Sequence, residues 1–523
     1  MQLSITKKDF LSQNSVEGIL PIASEIPYAS PDSLYSLFPG ANSFLLESVK
    51  GPEKIARYSF IGFEPYLIFK VKDGFIEIIT KGKRALSTGH PLARLKSLVT
   101  AYKQKPIKSL SPFQGGAVGL LSYDFVRYLE RLPKTTKDDL QIPDAHFFMI
   151  DKLIAIDHLD KKAWIIICPG ARDTELGYRD MDVNWSEKYD EAEEEIRQII
   201  VKVSRLRRVA EETKCQSVRE KTSALLASFS SANPPECGGE SPRRPNFRSS
   251  ALKHGLSKKQ YMDIVKRTKE YIAAGDIFQA NLSLRVSANI GAVKPWNLYK
   301  ILRSINPSPF AGFIDFGGYQ IVSSSPERLL RVKDGIIETR PIAGTRPRGK
   351  DIKEDELMRA ELLLNEKERA EHIMLIDLER NDIGRVSDYG SVRVDELMIT
   401  EDYSHVIHIV SNIKGKLAPN KTCFDSIKAA FPGGTITGVP KVRCMEIIDE
   451  LEPVARGPYT GSIGYIGFSG NMDLNIIIRT FVIKNGFAYV QAGAGIVADS
   501  DPEREYCESL KKAEALIKTL EKV

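Results

Sequence analysis

Alternating apolar and polar residues dominate the first third of the chain. Stretches such as Tyr66-Leu67-Ile68-Phe69-Lys70-Val71, Phe75-Ile76-Glu77-Ile78-Ile79 and Ala163-Trp164-Ile165-Ile166-Ile167, separated by Gly and Asp, are typical of β-strands. Residues 186–212 change to a helical charge pattern in which glutamates precede arginines. We therefore predict a sheet-rich N-terminal domain over residues 1–212 that ends in a helix with a solvated face.

A polar segment separates this domain from the rest of the chain. From about residue 228 to residue 250 the sequence is rich in Ser, Pro and Gly and too poor in apolar residues to pack, which predicts a flexible linker over residues 213–255. Ser257 can then cap a helix, and helices alternate with strands to the end of the chain. A second domain is predicted over residues 256–523, and the fold class is predicted to be α+β.

Composition excludes several classes of protein. With 523 residues, 42% of them hydrophobic and 27% charged, the chain can bury substantial cores and is neither disordered nor fibrous. A net charge of +6 over this length is too small to predict binding to nucleic acid. The cysteines lack zinc-ligand spacing, the N-terminus lacks an apolar signal segment, and no run is long enough to span a membrane. We expect a cytoplasmic protein with no membrane partner.

Two features of the C-terminal strands predict an anion site. The apolar run 474–483 predicts a strand buried on both faces, and Arg479 lies within it. A buried guanidinium requires an anion, which an internal salt bridge or a bound ligand can supply. The next predicted strand, residues 488–491, leads into a glycine bend at Gly493 and Gly495, where backbone N–H groups can approach an anion closely. Neither feature is specific alone, and the pair is more informative than either.

Two predicted helices carry glutamates that could face this site. Glu371 lies on an apolar stripe with Met374 and Leu375, where a carboxylate requires a proton, a donor or a metal. Glu508 lies four residues before Lys512, and an exposed ion pair is the simpler interpretation of that spacing. Because Mg²⁺ binds one or two carboxylates together with waters and substrate oxygens, the spacing suggests a pocket for Mg²⁺ and an anionic substrate.

The second half of the chain contains a set of motifs in a fixed order. They are Gly275-Asp276-Ile277-Phe278-Gln279, Ser324-Ser325-Pro326-Glu327-Arg328, Arg340-Pro341-Ile342-Ala343-Gly344-Thr345, Glu379-Arg380-Asn381-Asp382, Pro432-Gly433-Gly434-Thr435 and Gln491-Ala492-Gly493-Ala494-Gly495. As a set they resemble the chorismate-utilising enzymes, most closely the synthase subunit (component I) of anthranilate synthase and of aminodeoxychorismate synthase. The first half matches more loosely, through segments that include Leu45-Leu46-Glu47-Ser48. The resemblance implies the fold of anthranilate synthase component I, in which helices cover large antiparallel or mixed sheets and a cleft holds the active site.

The resemblance also implies roles for single residues. Glu371 and Glu508 would be the Mg²⁺ ligands, next to a carboxylate of the substrate chorismate. Glu327 would be the general acid that protonates the departing C4 hydroxyl, and His408 and Thr435 would line the reacting ring. The remaining substrate contacts would come from Arg479, Tyr459, Lys512, Gly344, Gly493 and Gly495.

Two of these roles depend on the resemblance alone. Outside this family, the sequence Ser-Pro-Glu around Glu327 is more typical of the start of a helix. His408 lies in a strand-like apolar run, where a histidine that packs in the core is the commoner case.

The residue at position 279 indicates the nucleophile. Relatives that add water to chorismate have a lysine base at this position, and Gln279 cannot deprotonate water. Ammonia needs no such base, so the resemblance implies amination, with Gln279 at the catalytic site. The chain has no Gly-x-Cys-x-Gly elbow or other glutaminase set, which implies that a separate glutamine amidotransferase subunit supplies the ammonia.

Two products stay open. Aminodeoxychorismate synthases commonly have a lysine nucleophile where this chain has Ala343. Without that lysine, ammonia should attack C2 itself, and loss of pyruvate should give anthranilate, the first step of tryptophan biosynthesis; this is the product we expect. Residues 279–283, 306–311 and 472–476 look more like the aminodeoxychorismate branch, some members of which lack the lysine, so 4-amino-4-deoxychorismate for folate biosynthesis is the alternative.

A regulatory site is also implied. Leu45-Leu46-Glu47-Ser48 resembles the tryptophan feedback pocket of anthranilate synthases, which would place Glu47, Ser48, Pro307 and Phe310 there. The usual Tyr-Met complement is Phe310-Ala311 in this chain, so inhibition by tryptophan stays open. An inactive regulatory subunit and a basic scaffold for nucleic acid are further alternatives. The retained acid and anion-binding residues argue against the first, and the acidic residues among the arginines argue against the second.

Overall fold

The computed structural model describes residues 1–13, 18–176, 183–205, 252–403 and 406–523. In chain order its strands are β1 (Ile22–Ile26), β2 (Ser43–Glu47), β3 (Tyr58–Gly62), β4 (Leu67–Lys72), β5 (Phe75–Thr80), β6 (Lys83–Thr88), β7 (Gly116–Leu121), β8 (Ala145–Ile150), β9 (Lys152–Asp157), β10 (Lys162–Ile167), β11 (Lys253–His254), β12 (Gln279–Asn289), β13 (Phe310–Asp315), β14 (Gln320–Ser325), β15 (Arg328–Lys333), β16 (Ile336–Arg340), β17 (Ile342–Pro347), β18 (Arg393–Asp402), β19 (Val406–Lys416), β20 (Gly438–Val439), β21 (Ser462–Gly467), β22 (Met472–Asn475), β23 (Thr480–Lys484) and β24 (Phe487–Ile496).

The helices, in the same order, are α1 (Lys7–Gln13), α2 (Pro31–Tyr35), α3 (Pro91–Thr100), α4 (residues 185–205), α5 (Lys258–Ala273), α6 (Pro295–Ile305), α7 (Ile352–Leu364), α8 (Glu366–Gly384), α9 (Cys423–Ala430), α10 (Lys441–Leu451) and α11 (Pro502–Glu521). Short 3-10 turns include Gly434–Ile436. Within the described ranges, no helix combines the length and apolar content needed to cross a membrane.

The strands form two antiparallel sheets that pack face to face. The order in the first sheet is β1-β10-β9-β3-β2-β13-β14-β23-β24-β12-β11, with β20 beside β12. The order in the second sheet is β17-β19-β16-β15-β22-β21-β7-β8-β4-β5-β6, with β18 beside β19. Helices such as α5, α6 and α11 cover the outer face of the first sheet, and α3, α8 and α9 cover that of the second. The predicted α+β class is confirmed.

The layer between the two sheets is apolar. Phe44 and Phe60 from the first sheet pack there with Val118, Phe148 and Tyr465 from the second. The alternation at residues 66–71 and 75–79 is explained by β4 and β5, in which one side is more deeply buried than the other. The apolar run 163–167 forms β10, which is buried on both sides.

Both halves of the chain contribute to both sheets. Strand β2 pairs with β13 in the first sheet, and β7 pairs with β21 in the second. The predicted linker falls outside the described residues over 213–251, whereas β11, at the end of that predicted linker, pairs with β12. The domain boundaries at residues 212 and 256 stay a prediction, and the sheets themselves are shared by the two predicted domains.

The run 474–483 was predicted as one strand, and this prediction is wrong. Strand β22 ends at Asn475 in the second sheet, and β23 begins at Thr480 in the first sheet. The residues between them cross from one sheet to the other, and Arg479 there has a positive φ of 51°. Their apolar pattern reflects burial in the cores at the crossing: Ile476 packs in the core under α8 and α9, and Ile477 packs between the sheets.

The predicted glycine bend is also wrong. Gly493 and Gly495 lie inside β24, where they pair with Ser283 and Asn281 of β12. A Cβ at Gly495 would lie 2.5 Å from Gln279 Nε2, so the glycine leaves room for the present position of that side chain and does not mark a change of direction. The helix predicted from Ser257 is confirmed as α5.

Candidate active site

Glu327 lies buried in the short connection between β14 and β15. The helix start that Ser-Pro-Glu suggests on its own does not form there. Thr435 Oγ1, from the 3-10 turn, donates a 2.9 Å hydrogen bond to Glu327 Oε1. Burial raises the pKa of Glu327 to about 7, although the bond from Thr435 and the positive charges of Arg479 and Lys512 act in the opposite direction. A carboxyl group with this pKa can hold a proton near neutral pH and release it during a reaction.

A second buried carboxyl group, Glu379, lies close to Glu327 and was not identified as a site residue from the sequence. Burial raises the pKa of Glu379 to about 8, and the negative charge of Glu327 adds to this effect. The Thr339 hydroxyl lies 2.9 Å from the Leu329 carbonyl oxygen and also contacts Glu379. A hydroxyl has one proton to donate, so both contacts are satisfied when Glu379 is protonated and donates to Thr339.

Arg479 provides a positive charge at the crossing between the sheets. Among the residues that the structure describes, no carboxylate forms an ion pair with its guanidinium. Burial lowers the pKa of Arg479, and negative charge on Tyr403 or Glu327 would oppose that change. The internal salt bridge that was one alternative for this arginine is therefore not observed within the described ranges, which leaves the guanidinium available to an anionic ligand.

His408 lies on β19, in the strand that its apolar neighbours predicted. Its Nδ1 atom is 2.9 Å from Thr345 Oγ1 and 3.2 Å from the Gly344 carbonyl oxygen. Burial lowers the pKa of His408 to about 3, and the charge of Arg479 contributes, so the ring is neutral. Its buried Nε2 atom has no partner in the described part of the chain.

Gln279, Glu371 and Gly495 form one corner of the site. Gln279 Nε2 donates a 2.8 Å hydrogen bond to Glu371 Oε1, and Gln279 Oε1 is buried without a partner among the described residues. Glu371 is partly exposed at the edge of the buried stripe of α8. A Cβ at Gly495 would lie 3.8 Å from Glu371 Oε1, which places this carboxylate beside β24.

Helix α11 brings Glu508 and Lys512 to the same strand. Lys512 Nζ donates a 3.1 Å hydrogen bond to the Gly493 carbonyl oxygen. It also lies 2.9 Å from Glu508 Oε1, which is the exposed ion pair expected from their spacing. Glu505, one turn earlier, has a pKa raised by burial and by the charge of Glu508. The Glu371 carboxylate of α8 and the Lys512 amine of α11 thus lie beside the two glycines of β24.

Tyr459 and Gly344 complete the set of predicted contacts. Tyr459 is buried, and its ring lies 5.6 Å from the guanidinium carbon of Arg456. Gly344 lies at an irregularity of β17 with a positive φ of 63°, and a Cβ there would lie 2.5 Å from Glu368 Oε2. Both the conformation and the space require glycine at position 344.

The residues assigned to a regulatory site line a separate cavity of about 500 Å³. Glu47, Ser48 and Phe310 contribute to its wall, whereas Pro309 lies there in place of Pro307. The Glu47 carboxylate is already bound by Arg303 Nη2 at 2.6 Å. The structure therefore brings three of the four predicted residues to one cavity, apart from the corner formed by Glu371.

The arrangement around Glu327 can bind a small anion and transfer a proton to it. The positive charges of Arg479 and Lys512 both lower the pKa of Glu327. In the described ranges, no cluster of three or more His, Cys, Asp or Glu side chains could hold a metal ion by itself. Glu371 and Glu508, the predicted Mg²⁺ ligands, lie on α8 and α11 and pair with Gln279 and Lys512, and their role as ligands stays a prediction.

Comparisons with known proteins show which family the chain belongs to. Residues 42–518 match the model of the chorismate binding enzyme family. The chain is 42% identical to anthranilate synthase component 1 of Acetivibrio thermocellus, over 99% of this chain and 97% of that protein. It is also 42% identical to aminodeoxychorismate synthase component 1 of Bacillus subtilis, over 96% of this chain and 97% of that protein.

A solved structure shows the same fold. The crystal structure of anthranilate synthase component I from Streptococcus pneumoniae superposes with a TM-score of 0.69 at 35% identity, covering 88% of this chain and 92% of that chain. The resemblance identified from the sequence motifs is confirmed. The chain therefore belongs to the chorismate binding enzyme family, as a chorismate-utilising synthase of the kind that includes component I of anthranilate synthase and of aminodeoxychorismate synthase.

Proposed function

We propose that this chain aminates chorismate with ammonia and eliminates pyruvate to give anthranilate. The observation that carries the proposal is Glu327, a buried carboxyl group with a pKa of about 7, bonded to Thr435 and close to two cationic side chains. An acid of this kind suits a reaction in which a hydroxyl group must leave from an anionic substrate near neutral pH.

Binding of the substrate follows from charge. Chorismate is a dianion, and Arg479 has a guanidinium without a carboxylate partner in the described ranges. Lys512, which contacts the Gly493 carbonyl oxygen and pairs with Glu508, would add a second positive charge. Charge-assisted hydrogen bonds from these groups would hold both carboxylates of the substrate in one orientation.

Proton transfer is assigned to Glu327. As ammonia forms a bond to C2, the ring double bonds shift and the C4–O bond breaks, and Glu327 gives its proton to the departing oxygen so that water leaves. Loss of the C2 proton and cleavage of the C3–O bond then release pyruvate and form the aromatic ring. His408 is neutral, so it lines the ring without competing with Arg479 for the anion.

A metal ion fits the same proposal. Glu371 and Glu508, with Glu505 nearby, would hold Mg²⁺, which when bound supplies positive charge to a substrate carboxylate. The Gln279 amide donates a hydrogen bond to one oxygen of Glu371 and would fix the orientation of that carboxylate.

Ammonia would be supplied by a partner. We infer a glutamine amidotransferase subunit, because both relatives are named as component 1 of their enzyme and the sequence shows no glutaminase motif. The chain would act in the cytoplasm in tryptophan biosynthesis. The cavity at Glu47, Ser48 and Phe310 is where tryptophan would act if feedback inhibition operates.

A second candidate is the formation of 4-amino-4-deoxychorismate for folate biosynthesis. The Bacillus subtilis relative with that name is as similar in identity as the anthranilate synthase of Acetivibrio thermocellus. Against it, position 343 is a buried alanine on β17, where a lysine nucleophile would be expected.

The two candidates differ in a simple assay. The purified chain is incubated with chorismate, Mg²⁺ and an ammonium salt at mildly alkaline pH without a partner subunit. Fluorescent anthranilate and an equimolar amount of pyruvate support the proposal. A product that yields 4-aminobenzoate only after a separate lyase is added supports the alternative, and no turnover by folded protein favours the inactive regulatory subunit.

A further inference from the structure

A buried ion pair behind the candidate site has no role in the proposal above. Arg456 and Glu452 are 2% and 4% exposed, and Glu452 is the residue at the C-terminal end of α10. Arg456 Nε donates to Glu452 Oε2 at 3.0 Å, and Nη2 donates to Glu452 Oε1 at 2.7 Å. The pair is therefore bidentate, which fixes the plane of the guanidinium.

The other donors of Arg456 reach three separate segments. Nη2 donates to the Asn281 carbonyl oxygen at 2.6 Å, and Nη1 donates to the Ile436 carbonyl oxygen at 3.0 Å and to Thr460 Oγ1 at 3.3 Å. With the two bonds to Glu452, these contacts use all five N–H groups of the guanidinium.

Each of these acceptors lies next to a residue of the candidate site. Asn281 is two residues after Gln279 on β12, Ile436 directly follows Thr435, and Thr460 directly follows Tyr459. Because backbone atoms are the acceptors at Asn281 and Ile436, the bonds fix the main chain that carries the site residues.

The network also reaches the crossing that carries Arg479. The Thr460 backbone N–H donates to the Ile477 carbonyl oxygen at 2.8 Å, two residues before Arg479. On the other side, Glu452 Oε1 accepts from Ser283 N at 2.9 Å and from Ser283 Oγ at 2.8 Å, which ties the pair to β12 a second time.

We propose that Arg456, held by Glu452, is a positioning residue that sets the relative placement of Gln279, Thr435, Tyr459 and the Arg479 crossing. This inference rests on the proposed amination of chorismate. A buried ion pair adds little net stability compared with apolar packing, so stability alone explains it poorly. A lysine would keep the charge, but it has three donors on one atom and cannot hold segments that lie in different directions.

The test compares Arg456→Lys with a matched substitution, Arg127→Lys. Arg127 pairs with Asp449, which lies on the same helix as Glu452 but bonds to Thr135 and to no residue of the candidate site. Melting temperature, kcat and KM for chorismate are measured for both variants, and the pH profile of kcat is measured at constant free ammonia. The wild-type assay run in parallel shows whether chorismate is aminated at all, so a failure of the proposed function is recognised separately.

We expect both variants to have a lower melting temperature than the wild type. Only Arg456→Lys should show a strong decrease in kcat/KM, by roughly 10- to 100-fold, because displacement of site residues by about 1 Å can have an effect of this size. The hydrogen bond from Thr435 lowers the pKa of Glu327, so loss of this bond should raise that pKa. The alkaline limb of the kcat profile should therefore move to higher pH in Arg456→Lys and stay at the wild-type pH in Arg127→Lys. Equal losses of kcat/KM in the two variants, or an unshifted limb in Arg456→Lys, would overturn the proposal.

A milder variant covers the case in which Arg456→Lys does not fold. Ser283→Ala removes one donor to Glu452 and the acceptor of a hydrogen bond from Gln491 Nε2, and it leaves the ion pair in place. We expect a smaller shift of the same limb to higher pH, with a melting temperature only modestly below that of the wild type. A wild-type pH profile in folded Ser283→Ala, when Arg456→Lys is not obtained, would reject the positioning role.

Discussion

Thr435 Oγ1 lies 2.9 Å from Glu327 Oε1 across 108 residues of sequence. The two residues come from unrelated elements, a 3-10 turn and a connection between strands in different sheets. Their contact defines the acid of the candidate site, because the bond favours the ionised carboxylate while burial favours the protonated form.

Replacing the acid should stop the reaction without unfolding the protein. We expect Glu327→Gln to lower kcat by roughly 100- to 10,000-fold, the range for loss of a general acid, with KM for chorismate changed only slightly. Asp151→Asn is the matched control, since Asp151 is also a buried carboxyl group with a pKa raised by burial, but it pairs with Arg172 and with no residue of the candidate site. Steady-state kinetics with wild-type kcat in Glu327→Gln would show that another group donates the proton.

The buried acid Glu379 should make stability fall with pH. Its pKa is raised from 4.5 to about 8 in the folded protein, so its stabilising effect is complete below pH 4.5 and is lost as pH rises toward 8. We expect the free energy of unfolding of Glu379→Gln to depend less on pH. Between pH 5 and pH 8 it should rise by roughly 1–3 kcal/mol relative to that of the wild type. Urea unfolding at the two pH values measures it, and an equal pH dependence in both proteins would contradict a neutral Glu379.

The two helix glutamates should be required for Mg²⁺. We expect Glu371→Ala or Glu508→Ala to abolish Mg²⁺-dependent turnover and the shift in melting temperature caused by Mg²⁺ with chorismate. Asp377→Ala on α8 and Glu514→Ala on α11 are controls, because the ion pairs of these carboxylates among the described residues lie within their own helices. Retention of both responses in Glu371→Ala or Glu508→Ala would reject the ligand assignment.

Position 343 should decide where ammonia attacks. Ala343 is buried on β17 beside the strand that carries His408. A lysine there would place an amine at the site, so we expect Ala343→Lys to shift product from anthranilate toward 4-amino-4-deoxychorismate. Chromatography of the products with chorismate and ammonium salt gives the ratio, and an unchanged ratio in folded, active protein would show that Ala343 does not set regiochemistry.

The sequence predicted elements better than it predicted their connections. Strand β4 follows from local alternation, because deeper burial of one side leaves a period of two. Strand β10 follows from a continuous apolar run, because both of its sides are buried. The end of β22 before Arg479 could not be predicted from the pattern, because a segment that crosses between two buried cores is as apolar as a strand. Glu379 belongs to the motif at residues 379–382, but its burial close to Glu327 depends on contacts between segments that are distant in the sequence.

The candidate site was predicted from family motifs and not from the pattern of hydrophobic and polar residues. Glu327 and His408 resemble a helix start and a core histidine when each is considered alone. Arg456 gave one weak local signal, a glutamate four residues earlier in the sequence. Its bonds to the Asn281 and Ile436 carbonyl oxygens left no signal, because these acceptors are backbone atoms of distant segments.

The most direct test follows labelled nitrogen. The purified chain is given chorismate, Mg²⁺ and ¹⁵N-ammonium chloride, and the products are analysed by mass spectrometry together with an enzymatic assay of pyruvate. The account predicts anthranilate that contains ¹⁵N and one pyruvate for each anthranilate. Unchanged chorismate, or a product without ¹⁵N, obtained with folded wild-type protein would contradict it.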